Sequence, residues 1–215
     1  CSMKINVLIF DCDGVIIDSG ADITNAVLHT MRHFNVREIS KEEIISYVGR
    51  GAETLIRKSF KGCDEQLIQT VIPYYKIYYL ENCIIETRLY ENVRKTLEHF
   101  SDKKIAMVTN KPEAITHRIL QRLEVNHYFD IIIGPESVER SKPDPEGLRK
   151  VLKEFGEMAE NAIMIGDSEY DIQAGKSTEI HTCGVTYGIG NLNDLKASGP
   201  ELLIDNMIEL INLVE

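Results

Sequence analysis

The chain has 215 residues, 43% of them hydrophobic and 27% charged, with a formal net charge of −10. That length admits one substantial domain, or one carrying a smaller insert, with a real core. The acidic balance argues against nucleic acid or an anionic membrane as partner, since both need a basic footprint, and no apolar run approaches the ~20 residues that span a bilayer.

The opening CSMKIN lacks a basic segment followed by an apolar one, so no signal peptide is expected and a cytoplasmic protein is the default. Next comes NVLIFDCDGVIIDS. Its run Val7–Phe10 is short, continuous and rich in β-branched and aromatic side chains, the pattern of a strand buried on both faces of a parallel sheet. Asp11 then stands at the strand's carboxyl end, where open α/β sheets bind their ligands. Asp13 follows closely, and two carboxylates so near each other require a proton or a cation between them. Asp-Gly also reads as a turn, and this stretch alone leaves both readings open. Cys12 would be turned to the opposite side by extended alternation and reads as packing. The five cysteines, Cys1, Cys12, Cys63, Cys83 and Cys183, have no C-x-x-C spacing and read as reduced thiols.

Asp18 and Ser19 read as a helix cap and hinge. Over 19–85 no convincing strand appears. Ser40 and Glu43 in SKEEIISYV offer a capping box. YVGRGAETLI sets Arg50 between two glycines near a helix start, which suits a substrate carboxylate or second phosphate, or equally a surface arginine. DEQLIQTVIPYYKIYYLEN carries an amphipathic period interrupted at Pro73, with Tyr75 and Tyr79 on one face as packing residues. A small helical cap over 19–85 is therefore expected, inserted in a core of 1–18 and 86–215 and set above the sheet edge as a lid.

Strands resume with KIAMVT from Lys104, FDIIIG from Phe129, NAIMIGD from Asn161, IHTCGVT from Ile180 and a weaker ELLID near Glu201. Helices are expected over 113–123 and in DPEGLRKVLKEFG, with Asp144 as N-cap, Pro145 at the first helical position and Gly156 past the end. Such alternation implies right-handed βαβ crossovers. The fold class is α/β, a Rossmann-like parallel sheet with helices on both faces plus the small α-helical cap.

Polar residues close several of these strands. Thr109 and Asn110 end the KIAMV strand, Asp167 ends the IMIG strand with Asp171 at the next helix start, and Lys142 precedes a proline in ERSKPDP. Each alone reads as a cap, turn or surface loop. Together they point elsewhere, because stability does not require acid, hydroxyl, amide and lysine at one edge, whereas a phosphoryl group does. Asp11, Asp13 and Asp167 offer hard oxygen ligands for Mg²⁺. Thr109, Asn110 and Lys142 suit the phosphate oxygens and the charge that grows in the transition state. Lys111 reads as a further contact or as an exposed helix-start lysine, and the six histidines show no metal-ligand spacing.

The ordered set DxDG, TN, SKPDP and GDSxxD spans essentially the whole chain and resembles the haloacid-dehalogenase-like superfamily of phosphotransferases. VTNKP, YVGRG and GVTYGIGN resemble its phosphoglycolate phosphatase branch. The resemblance implies that Asp11 is the nucleophile that becomes an aspartyl phosphate, with its other oxygen on Mg²⁺. It makes Asp13 the acid and base, its backbone carbonyl on the metal, Asp167 the third protein ligand, and Asp171 an outer carboxylate orienting a metal water or Lys142. Arg50 and Lys111 become candidates for substrate specificity. The implied partner is a small anionic phosphorylated metabolite, 2-phosphoglycolate foremost, for a monomer or weak homodimer. Pyrophosphatases and β-phosphoglucomutase-like enzymes share these motifs, whereas transport ATPases carry threonine at the second aspartate. Glu91 and Asn92 depart from the Pro-Gly frequent in relatives, which bears on how the cap is oriented. A phosphoaspartate receiver domain combines similar residues, but it is much shorter and lacks the insert.

Overall fold

Val7, Leu8, Ile9 and Phe10 are fully buried and form the central strand β1 (Val7–Phe10) of the computed structural model, which describes residues 2–215. Cys1 lies outside the described residues. The side chains of β1 alternate as a strand's must. Val7 and Ile9 join an apolar cluster with Leu148, Val151 and Ala174, while Leu8 and Phe10 join a second cluster on the other face.

Along the chain follow β2 (Ile17–Asp18), α1 (Gly20–His33), α2 (Lys41–Ile45), α3 (Ala52–Ser59), α4 (Glu65–Asn82) and β3 (Arg88–Leu89). Then come α5 (Val93–His99), β4 (Lys104–Val108), α6 (Glu113–Arg122), β5 (Ile131–Ile133), α7 (Glu146–Phe155) and β6 (Ala162–Gly166). The chain ends with α8 (Glu169–Thr178), β7 (His181–Val185), α9 (Leu192–Ala197), β8 (Leu202–Ile204) and α10 (Leu210–Leu213). Six parallel strands are ordered β5-β4-β1-β6-β7-β8. The chain winds outward from β1 in one direction and then, from β6, in the other. Beside β1 the order reverses, and the crevice at the carboxyl ends there is where such sheets bind ligands.

The expected strands are all present, and the insert departs from expectation in three places. β2 and β3 pair antiparallel at its borders, a ribbon of two residues per strand that is too short to show any period in sequence. Pro73 does not interrupt α4. It lies on the exposed side of the helix, where water satisfies the carbonyl it leaves unbonded. At α2 only half of the capping box forms, since Ser40 Oγ accepts the Glu43 N–H while the Glu43 carboxylate accepts from the Tyr47 hydroxyl. α7 begins at Glu146, one residue later than expected, with Asp144 Oδ1 accepting its N–H; Gly156 caps the other end at φ 64°.

The second apolar cluster continues from the sheet into the insert through Ile23, Val27, Leu55, Ile68, Tyr75 and Tyr79. The return from the insert is tied by Asp22 of α1. This buried carboxylate accepts the N–H groups of Ile85, Glu86 and Thr87 and the Thr87 hydroxyl. Glu86 and Thr87, expected with the core, are therefore fastened to the helices. Asn92 starts α5 at φ 62°, a backbone that glycine and asparagine tolerate best, and its amide donates to Asn206. Among the described residues no helix is long and apolar enough to cross a membrane.

Candidate active site

β1, β4 and β6 end in register. Phe10 pairs with Met107 on one side and Ile165 on the other, which brings Asp11, Thr109 and Asp167 to one edge. All three are buried there, as are Asn110, Lys111, Lys142 and Asp171.

Asp11 Oδ1 accepts the Cys12 N–H at 2.7 Å and lies 3.1 Å from Lys142 Nζ. Its other oxygen has no protein partner among the described residues. Lys142 Nζ also donates to Asp171 Oδ1 at 2.6 Å, and Asp171 Oδ2 accepts from the Ser168 N–H and hydroxyl. Asp167 Oδ2 accepts the N–H groups of Ile189 and Gly190, each at 2.8 Å, from the loop after β7. Cys12 is fully enclosed, and burial pushes its thiol up, so it packs and does not act as a nucleophile.

Asp11, Asp167 and Asp171 each offer an oxygen within 4.8 Å of the others. Burial, followed by the Asp171 charge, pushes the Asp11 carboxyl up to about 7 despite Lys142; burial, Asp171 and Asp11 likewise push Asp167 well up. Three buried carboxylates thus face one lysine, and the excess negative charge on hard oxygen donors fits a small divalent cation. The oxygens of Asp171 are already committed to Lys142 and Ser168, so Asp11 and Asp167 are the residues whose carboxylates could contact such an ion directly.

Asp13 points away from this cluster. Its Oδ1 accepts from the Ser19 hydroxyl at 2.5 Å and from Lys111 Nζ at 3.0 Å. Ser19, expected as a helix cap, makes no cap bond and holds Asp13 instead. Lys111 is not an exposed helix-start residue, since its side chain is 2% exposed. It donates as well to the Tyr79 hydroxyl of α4 at 2.8 Å. Tyr79 is a site residue that sequence reasoning assigned to packing alone. Tyr74 and Tyr78 face α1, where Tyr78 stacks on His29 at 3.7 Å.

Thr109 Oγ1 accepts the Lys111 N–H. The Asn110 side-chain amide spends both donors on Gly49 and Lys142 carbonyls, each at 3.0 Å, and so straps the insert to the sheet edge. A cavity of about 30 Å³ remains between them, lined by Asp11, Asp13, Thr109, Lys111, Tyr79 and an apolar wall that includes Val48 and Leu55. Arg50 does not line it. Its guanidinium sits 5.1 Å from the Tyr170 ring centroid and 4.0 Å from Glu169, at the start of α8.

Gly14 is the tightest backbone position. At φ +80° an added Cβ would lie 1.9 Å from Asp167 Oδ2 and 2.9 Å from the Ile189 nitrogen. Gly14→Ala therefore lowers stability by ~2–3 kcal/mol and displaces Asp167, with activity falling more than about tenfold. A urea melt and an initial-rate assay check both.

The fold is of the doubly wound α/β class, with an acid cluster beside the point where its strand order reverses. A model of the haloacid dehalogenase-like hydrolase family matches residues 8–185. The chain is 32% identical over 214 residues to a phosphoglycolate phosphatase of Colwellia psychrerythraea, covering 95% of each chain. It is 27% identical to the pyrophosphatase PpaX of Bacillus cereus, covering 99% of this chain and 97% of that one. A crystal structure described as a predicted phosphoglycolate phosphatase from Haemophilus somnus superposes with TM-score 0.92 at 26% identity, with 98% of each chain covered. The chain belongs to the haloacid dehalogenase-like hydrolases, and within them it is a phosphatase.

Proposed function

We propose that the enzyme is a Mg²⁺-dependent phosphatase that hydrolyses a small phosphate monoester, 2-phosphoglycolate foremost, through an aspartyl phosphate on Asp11. The observation that carries this reading is the meeting, where the strand order reverses, of a carboxylate with one oxygen left over, a hydroxyl and a buried lysine. Asp11 attacks phosphorus, and the leaving oxygen takes a proton from Asp13 as its bond to phosphorus breaks. Water then attacks the phosphorus of the aspartyl phosphate and gives its proton to Asp13. Orthophosphate leaves and the Asp11 carboxylate is restored.

Lys142, steadied by Asp171, and the Thr109 hydroxyl hold the phosphoryl oxygens and offset the charge of the transition state. The Asn110 amide joins them by exchanging one of its present bonds. Asp11, Asp167 and the Asp13 carbonyl would hold Mg²⁺, which would supply the positive charge that lets an anionic phosphoryl group approach a carboxylate.

Residues 19–85 act as a cap on a core of 1–18 and 86–215. A cavity of about 30 Å³ holds little more than a water. Entry of a phosphate ester therefore requires α3 and α4 to lift from the edge. The apolar wall and the single lysine, Lys111, suit a small leaving group with one anionic end. Arg50 reaches such a group only by leaving Tyr170 and Glu169. A second reading, pyrophosphate hydrolysis, draws support from the likeness to the Bacillus cereus pyrophosphatase, and Lys111 would suit a departing phosphate as well as a carboxylate.

Orthophosphate release from 2-phosphoglycolate, pyrophosphate, β-glucose 1-phosphate and p-nitrophenyl phosphate, with Mg²⁺ and with chelator, decides between them. Metal-dependent release with 2-phosphoglycolate preferred is expected. A preference for pyrophosphate selects the second reading, and release undiminished by chelator removes the metal from either.

A further inference from the structure

We propose that Tyr79, on α4 of the insert, is a positioning residue that acts through Lys111 to set the Asp13 carboxylate, so that Asp13 is aligned only while α4 rests on the sheet edge. The inference rests on the reading of Asp13 as acid and base. It begins with a cost. Lys111 is buried with its ammonium enclosed, and burying an ammonium costs several kcal/mol that an apolar residue of the same length would not. The fold gains nothing obvious from a charge there. Asp13 does, because Lys111 Nζ reaches both of its oxygens, at 3.0 and 3.3 Å.

An ammonium has three donors on a flexible stem, and a carboxylate alone fixes neither its rotation nor its depth. The Tyr79 hydroxyl, accepting from Lys111 Nζ at 2.8 Å, supplies the second fixed point. Tyr79 is itself rigid, 2% exposed and stacked on Tyr75 with ring centroids 5.7 Å apart. The insert thus reaches the reacting aspartate through a chain of two hydrogen bonds. When the hydroxyl is removed, Lys111 keeps the ring face 4.5 Å away but only one hydrogen-bond partner, and Asp13 can turn toward its other one, the Ser19 hydroxyl.

Tyr79→Phe keeps the ring that fills the core, and Lys111→Met keeps the length of the stem. Both, the double variant and Asp13→Asn are compared in the full-length chain with Mg²⁺, on 2-phosphoglycolate and on p-nitrophenyl phosphate. Nitrophenolate leaves without a proton, so its first release does not need Asp13, whereas hydrolysis of the aspartyl phosphate does. Tyr79→Phe is expected to leave the rate of the nitrophenolate burst within about twofold and to lower kcat on both substrates about tenfold, with KM little changed on 2-phosphoglycolate, where both steps slow, and falling with kcat on p-nitrophenyl phosphate, where only the second does. The double variant is expected to be no slower than Lys111→Met, since Tyr79 acts through that residue. Unchanged kcat in Tyr79→Phe overturns the inference. So does a burst that slows in step with turnover, or a double variant that is slower by the product of the single effects. If Asp13→Asn itself retains turnover, the assignment of Asp13 is what fails, and the positioning role falls with it.

Discussion

Asp11→Asn eliminates phosphate release, by about 10⁴-fold or more, while the metal-free protein melts no lower than wild type. The loss of rate follows from the amide, which has no anionic oxygen to attack phosphorus. The preserved stability follows from the electrostatics of the site. A carboxyl raised to about 7, first by burial and then by Asp171, sits where its surroundings disfavour the charge on balance, although Lys142 favours it. Asparagine keeps the shape and the oxygen that accepts from the Cys12 N–H and faces Lys142. It removes one of three like charges. Phosphate release and thermal melts on the same preparation test the dissociation. Activity within tenfold of wild type would sink the assignment of Asp11, and a large drop in melting temperature would sink the electrostatic account.

The parallel sheet was legible because its strands are short, largely apolar runs, and the central ones, β1 and β6, are buried at every position with no polar residue inside them. Phe10, Val108 and Gly166 mark the ends of three such runs, and the residues that follow them had to meet at one edge once the strands were parallel. What escaped the sequence was decided by docking. Nothing local distinguishes Tyr79 from Tyr75, because the partner of its hydroxyl lies 32 residues away on another element. The same holds for Asn110, whose amide finds a carbonyl of the insert 61 residues earlier. Arg50, between two glycines, reads either as a substrate contact or as a surface arginine; the aromatic ring and carboxylate beside its guanidinium belong to α8, and no local pattern announces them. Ser19 had the composition of a helix cap but found a carboxylate six residues back. The ribbon of β2 and β3 was hidden for a simpler reason, that two residues cannot show alternation.

Lys142→Met is expected to cost ~3–5 kcal/mol of metal-free stability at neutral pH and to abolish measurable turnover. Burial works against the Lys142 charge, yet Asp11 and Asp171 more than offset it and hold the ammonium at about 12. Without that charge, Asp11, Asp167 and Asp171 face one another with no counter-ion from the protein at bonding distance among the described residues. Buried carboxylates answer by taking protons, which fixes the sign of the pH dependence. Between the ordinary value of 3.8 and the raised value near 7, the native state binds more protons at Asp11 than the unfolded chain does. Stability in that window therefore falls as pH rises, and it does so more steeply in the variant than in wild type. Lowering the pH from 7 toward 5 narrows the deficit. A divalent cation narrows it too, so saturating Mg²⁺ raises the variant's melting temperature by more than it raises that of wild type, yet turnover does not return, because a phosphoryl-binding ammonium is still missing. Melts across pH with and without Mg²⁺, and the same series on Lys142→Arg, read the outcome. A deficit that widens in acid would show that Lys142 does not balance this cluster.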